Sequence, residues 1–96
     1  MTTLGGRVEI AAGANVTSSV AGTITTTGDK VNEDSGDVTI DSVAGNIGVS
    51  GTITTDGFAN ATDAQDSDAG NVTITALDGN ITTAAISALG LSLIHI

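Results

Sequence analysis

The pentapeptide Gly36-Asp-Val-Thr-Ile40 returns later in the chain as Gly70-Asn-Val-Thr-Ile74, and it has an earlier counterpart in Gly6-Arg-Val-Glu-Ile10. The valines of these segments stand at positions 8, 38 and 72 and are therefore separated by 30 and 34 residues. Repetition at such a period is typical of proteins built from stacked structural units. The fold of the whole chain is expected to follow from this repeat.

Two further motifs follow each pentapeptide, always in the same order. An Ala/Gly-Asn-Val/Ile triplet comes first, at 14–16, 45–47 and 79–81, and a segment around an isoleucine comes second, at 22–26, 51–55 and 85–87. The agreement of three motifs predicts three repeats with bounds of about 6–35, 36–69 and 70–90.

Each motif has the residue pattern of a short β-strand. Val38-Thr39-Ile40 alternates apolar and polar side chains, as expected of a strand with one buried face. Val, Ile and Thr are favoured on pleated surfaces, and no segment shows the 3.6-residue spacing of an amphipathic helix. The sequence predicts an all-β fold, with glycines 36, 45, 51, 70 and 79 at corners that need unusual backbone angles.

The shortness of these strands favours one all-β architecture over the others. Short strands suit a coil with one strand on each face, in which every strand stacks on its counterpart in the next repeat. This arrangement is a parallel β-helix, or β-solenoid. Three coils are near the minimum for stability, because an isolated coil buries too little apolar surface to offset the entropy of ordering its residues. We therefore expect the chain to be a fragment of a longer rod.

The composition excludes several classes of function. The 96 residues include 11 acidic and two basic side chains, for a formal net charge of −9. Arg7 and Lys30 cannot form a surface that tracks a phosphate backbone, so no nucleic-acid partner is predicted. The absence of cysteine excludes disulfides, thiolate zinc sites and cysteine nucleophiles. No membrane insertion is predicted, since the apolar runs are far shorter than the roughly 20 residues that cross a bilayer, and the export signal is expected outside this sequence.

Asparagines recur at one position of the repeat. Asn15, Asn46 and Asn80 each precede an inward Val or Ile, and stacked coils commonly align such amides into a ladder that bonds along the stack and to the corner backbone. The alternative is N-glycosylation, because Asn15, Asn60, Asn71 and Asn80 each begin an Asn-X-Thr sequence. We predict the ladder for the three equivalent positions.

Two acidic loops of unequal length, 27–36 and 56–70, separate the repeats. They are expected to project from one edge of the solenoid, which is where repeat proteins usually carry recognition. Asp63, Asp66 and Asp68 are the candidate ligands for Ca²⁺, since oxygen ligands two residues apart followed by glycine partly match calcium loops. The expected form is a solvated acidic loop without a cofactor, and a calcium-stabilised surface binding module is the alternative.

No catalytic site is predicted. His95, the only histidine, lies outside the repeats, and the carboxylates of the loops are not held at a defined separation. A fragment of a β-helix carbohydrate-active enzyme is an alternative, although such enzymes use basic and aromatic groups that this chain lacks. Outward threonines also suggest an ice-binding face, but the third repeat interrupts that pattern with Ala85 and Ser87.

The third repeat carries a family resemblance. Gly-Asn-Val-Thr-Ile-Thr-Ala followed by Asp-Gly-Asn-Ile-Thr-Thr-Ala-Ala-Ile-Ser-Ala, within 70–88, resembles the repeats of filamentous-haemagglutinin-like exoproteins, and the similarity extends over residues 6–90. Those are large secreted or cell-surface bacterial proteins with a right-handed parallel β-helix shaft. The resemblance implies a structural shaft segment of an adhesin-like protein, whose partners are flanking coils of the same chain and host-surface, matrix or glycan ligands.

Residues 91–96 differ from the Gly-, Thr- and Asn-rich repeats, because they contain a cluster of leucine and isoleucine. Two interpretations remain open for this tail: the opening strand of a further coil, or translated sequencing-adapter sequence without biological meaning.

Overall fold

The computed structural model describes residues 1–28, 34–57 and 68–89, and this part of the chain contains strands and turns without a helix. No helix that could span a membrane is found there. The strands are β1 (Val8–Ala12), β2 (Val16–Ser18), β3 (Ile24–Thr25), β4 (Val38–Ser42), β5 (Ile47–Val49), β6 (Ile53–Thr54), β7 (Val72–Ala76), β8 (Ile81–Thr83) and β9 (Ile86–Ser87). We call β1–β3 the first repeat, β4–β6 the second and β7–β9 the third.

The nine strands form three parallel sheets, and each sheet takes one strand from every repeat. Sheet 1 has the order β1-β4-β7, sheet 2 the order β2-β5-β8, and sheet 3 the order β3-β6-β9. The register of sheet 1 pairs Val8 with Val38 and Val38 with Val72. The all-β prediction and the alignment of the three repeats are therefore confirmed, with the repeats stacked as successive coils would be.

One apolar core is shared by all three sheets. Its buried members are Val8, Val38 and Ile40 from sheet 1, Ile47 and Val49 from sheet 2, and Ile24 and Ile53 from sheet 3. Burying one Val or Ile side chain stabilises a fold by about 1.5–3 kcal/mol. The alternation predicted from the sequence is visible in β4, whose residues are in turn buried and half-buried.

The depth of burial depends on how many repeats cover a residue. Ile47 and Ile53 of the second repeat are 1% and 0% exposed, because a repeat lies on each side of them. Their counterparts in the third repeat, Ile81 and Ile86, are 45% and 44% exposed. The stack is thus a nearest-neighbour structure, in which each repeat obtains its apolar burial from the adjacent ones.

The corner glycines are needed for a different reason from the one predicted. Gly5 has a positive φ of 86°, but the glycines at 36, 45, 51, 70 and 79 do not. A Cβ at Gly36 would instead overlap Gly6 O and come within 2.7 Å of Arg7 N, in the backbone of the preceding repeat. The prediction of unusual backbone angles is wrong, and close approach of stacked backbones is the constraint.

Replacing Gly36 by alanine is expected to lower the free energy of unfolding by about 1–3 kcal/mol or more, as overpacking does elsewhere. The matched control is Gly48→Ala, since a Cβ at Gly48 meets nothing within 4 Å. That change is expected to be neutral or to stabilise the fold by up to about 1 kcal/mol, because glycine weakens a strand interior. Urea unfolding followed by far-UV circular dichroism measures both; equal effects of the two substitutions would contradict the close-approach explanation.

Candidate functional site

The two acidic loops leave the sheets at adjacent positions. The first loop connects β3 to β4 and the second connects β6 to β7. Thr26 N donates to Thr54 O at 2.9 Å where the loops begin, and Ser35 N donates to Asp68 O at 3.0 Å where they return. The loop bases of successive repeats therefore stack on one another, which places both loops at the same edge of the sheets.

A buried threonine closes the base of each loop. Thr26 Oγ1 donates to Gly36 O at 2.6 Å, and Gly36 N donates back to Thr26 O at 3.1 Å. Thr55 and Gly70 form the same pair in the next repeat, at 2.8 and 3.0 Å. Both threonines are 0% exposed. We call these two pairs the threonine clamps; they hold the ends of each loop together within the sheets, whatever the length of the loop between them.

The clamp threonines are not among the residues predicted from the sequence, although the sequence contains a signal for them. Thr26 stands two residues after the inward Ile24, and Thr55 two residues after Ile53. Side chains two apart in an extended segment point to the same side, so both hydroxyls belong on the buried face. A buried hydroxyl needs a partner, and the corner glycine carbonyl is the acceptor that the fold provides.

Substituting Thr55 by valine is expected to lower the free energy of unfolding by about 1–3 kcal/mol, because it removes the buried donor that Gly70 O accepts. Thr52→Val is the matched control, since Thr52 is exposed and undergoes the same chemical change. The measurement is urea unfolding by circular dichroism, together with proteinase K digestion to detect opening of the loop base. Equal stability of the two variants would show that the clamp hydroxyl contributes nothing.

Carboxylates at the loop bases and strand entries accept hydrogen bonds from the backbone of the next repeat. Asp34 Oδ1 accepts from Asp68 N at 3.0 Å, and Asp37 Oδ1 accepts from Asn71 N at 2.8 Å. Asp56 Oδ1 accepts from Leu89 N at 2.9 Å and from the Ser87 hydroxyl at 2.6 Å. These side chains continue the hydrogen-bonding between repeats beyond the ends of the strands.

Asn15, Asn46 and Asn80 lie in one column, each directly before a strand of sheet 2. Asn15 Oδ1 accepts from Asn46 N at 2.8 Å, and Asn46 Oδ1 accepts from Asn80 N at the same distance. In this column a backbone N–H donates to a side-chain oxygen of the preceding repeat, as Asn71 N does to Asp37 Oδ1. Each amide thus satisfies the N–H of its counterpart in the following repeat at the corner where the regular ladder begins.

Asn46→Ala is expected to lower the free energy of unfolding by about 0.5–1.5 kcal/mol, because Asn80 N loses its acceptor. Asn46→Asp keeps an acceptor oxygen at the same place, as Asp37 does in sheet 1, and is expected to retain most of the stability. Urea unfolding compares the two variants; an aspartate variant as unstable as the alanine variant would contradict the role assigned to Oδ1.

The calcium prediction falls mainly on residues that the structure does not describe. Asp63 and Asp66 lie outside the described residues, and Asp68 lies at the base of the second loop. Within 1–28, 34–57 and 68–89, no three acidic or histidine side chains form a group suited to a metal ion. Calcium binding by Asp63, Asp66 and Asp68 stays the alternative hypothesis. His95 and the tail 91–96 also lie outside the described residues.

Comparisons with protein-family models, with curated proteins and with solved structures gave no match to this chain.

Proposed function

We propose that the three sheets close around their common core into a right-handed parallel β-solenoid, and that this solenoid is a structural shaft segment of a large secreted or cell-surface bacterial protein of the adhesin type. The handedness follows from the general preference of parallel crossover connections for the right-handed path. The family resemblance of residues 70–88 adds the cellular setting.

The observation that carries the proposal is the shared core. Val38, Ile47 and Ile53 belong to three different sheets and are all at most 1% exposed, within one apolar cluster. Three sheets that bury one face in the same core, with strands visited in turn along the chain, have the arrangement of a coil that winds about an axis. Each added repeat extends such a coil by about 4.8 Å, the spacing of neighbouring strands.

The mechanical role follows from how successive repeats are joined. Parallel strand ladders connect each repeat to the next in all three sheets, and side-chain oxygens of Asp37 and Asn46 extend this bonding to the corners. Separation of two repeats must break these bonds together with the apolar contacts, so the stack resists bending and extension. In this proposal the acidic loops face the environment from one edge, and contacts with host-surface, matrix or glycan ligands belong there. The shaft itself performs no catalysis.

The proposal is tested by the location of the chain in cells of the source organism. Antibodies raised against the purified chain are expected to label intact cells or to detect the protein in the culture medium, and brief proteinase K treatment of intact cells is expected to remove the cell-bound signal. A cytosolic protein, detected only after lysis, serves as the control. Labelling that requires lysis and survives protease treatment would refute the surface role.

A further inference from the structure

The two ends of the stack differ at the column of corner residues that precedes sheet 2. Ala14, Gly45 and Gly79 occupy equivalent positions, each directly before a ladder asparagine. A Cβ at Gly45 would lie 2.7 Å from Ala14 C, and a Cβ at Gly79 would overlap Gly45 O. In this column, therefore, a Cβ points at the backbone of the preceding repeat, and the stack requires glycine wherever a preceding repeat is present.

Ala14 breaks the column in the first repeat, because it carries a Cβ where its counterparts are glycine. By the geometry of Gly45 and Gly79, that methyl group occupies the space that the corner backbone of a preceding repeat would need. A preceding repeat stacked in the same register would overlap the Ala14 methyl group and would have to shift. The strand ladders on both sides of the corner leave little room for such a shift.

The part of the same end that belongs to sheet 3 is covered by residues 1–3. Thr3 N donates to Thr25 O and Thr25 N donates to Met1 O, both at 2.9 Å, so this segment adds a short parallel bridge to sheet 3. The Thr3 hydroxyl also donates to Gly6 O. A Cβ at Gly6 would meet Thr3 Cβ at 3.4 Å, whereas at Gly36 it would meet the backbone of another repeat.

The opposite end, formed by β7, β8 and β9, keeps the features that receive a repeat elsewhere in the stack. Asn80 continues the asparagine column, in which Oδ1 of each earlier asparagine accepts from the backbone N–H of the following repeat. Ile81 and Ile86 remain 45% and 44% exposed. No described residue pairs with the outer edges of β7, β8 and β9.

We propose that the outer edge of the third repeat is a docking surface for one further β-repeat, and that Ala14 closes the outer edge of the first repeat to the same partner. The partner is a further repeat of the same polypeptide, with three parallel strands and with glycine over Gly70 and over Gly79. This inference rests on the proposed solenoid and deepens it, because it makes the shaft directional. Its basis is continuity with the interfaces between the first and second and between the second and third repeats, which show the same glycine columns and the same register.

The test adds a copy of the second repeat to either end of the full chain. One variant inserts residues 36–69 between Gly5 and Gly6; the other inserts the same residues, rearranged as 56–69 followed by 36–55, after Leu89. The two variants have identical composition, and residues 1–5 remain available to cover the new first repeat. Far-UV circular dichroism in urea gives the midpoint and the m-value, which scales with the surface exposed on unfolding.

Insertion after Leu89 is expected to give a single transition with a higher midpoint and an m-value larger by about one third, as expected for four stacked repeats instead of three. Insertion before Gly6 is expected to leave the m-value at that of the parent, with the added segment removed by proteinase K. Adding Ala14→Gly to the variant with the insertion before Gly6 is expected to give the larger m-value. Replacing the copies of Gly36 and Gly45 by alanine in the variant with the insertion after Leu89 is expected to abolish its gain in m-value.

The outcomes separate this inference from the proposed function. Equal extension at both ends, or extension only before Gly6, would overturn the directional inference and leave the solenoid standing. A failure of both insertions, with Ala14→Gly giving no rescue, would overturn the docking surface and the proposed solenoid together.

Discussion

The close approach of backbones at the corners of successive repeats is the constraint on which the rest of the structure depends. Strand ladders set the separation of neighbouring repeats at about 4.8 Å, and the corners must keep that separation where the chain changes direction. A side chain pointing along the stack does not fit in this space. The repeats therefore carry glycine at 36, 45, 70 and 79, without the positive φ angles that usually explain glycine at a turn.

Close stacking also creates a need for hydrogen bonds, which the corners meet with side chains. The strands of sheet 3 have only two residues each, so much of the backbone lies outside the regular ladders. Asn15, Asn46 and Asp37 each accept from an N–H of the following repeat, and they do so in one direction along the stack. Since these three side-chain acceptors each belong to the earlier of two repeats, they distinguish the two ends of the molecule, as the glycine columns do.

The threonine clamps fix the two ends of each loop within the sheets, so that the stack does not depend on the loop between them. Thr26 and Thr55 tie the ends of each loop together through a backbone bond and a buried hydroxyl. The loops differ in length, yet the strands before and after them keep an uninterrupted register in sheets 3 and 1. Such an arrangement lets the loops vary in sequence and length at little cost to the stack, which suits a role in which the edge meets the environment and the sheets provide support.

The sequence alone determined the three repeats, the all-β class and the inward positions such as Val38, Ile40 and Ile53, because strand periodicity and a repeat with matching motifs are local properties of the chain. It also singled out Asn15, Asn46 and Asn80 as one column. Only the tertiary structure shows that close backbone approach requires glycine at the corners. It also shows which hydroxyls and carboxylates join the repeats and how the two ends of the stack differ. Thr55 with Gly70, Asp37 with Asn71 and Gly45 with Ala14 are pairs separated by 15, 34 and 31 residues in sequence. Their contacts arise only when a loop closes or when one repeat lies on another, so the residues of a single strand do not specify the partner.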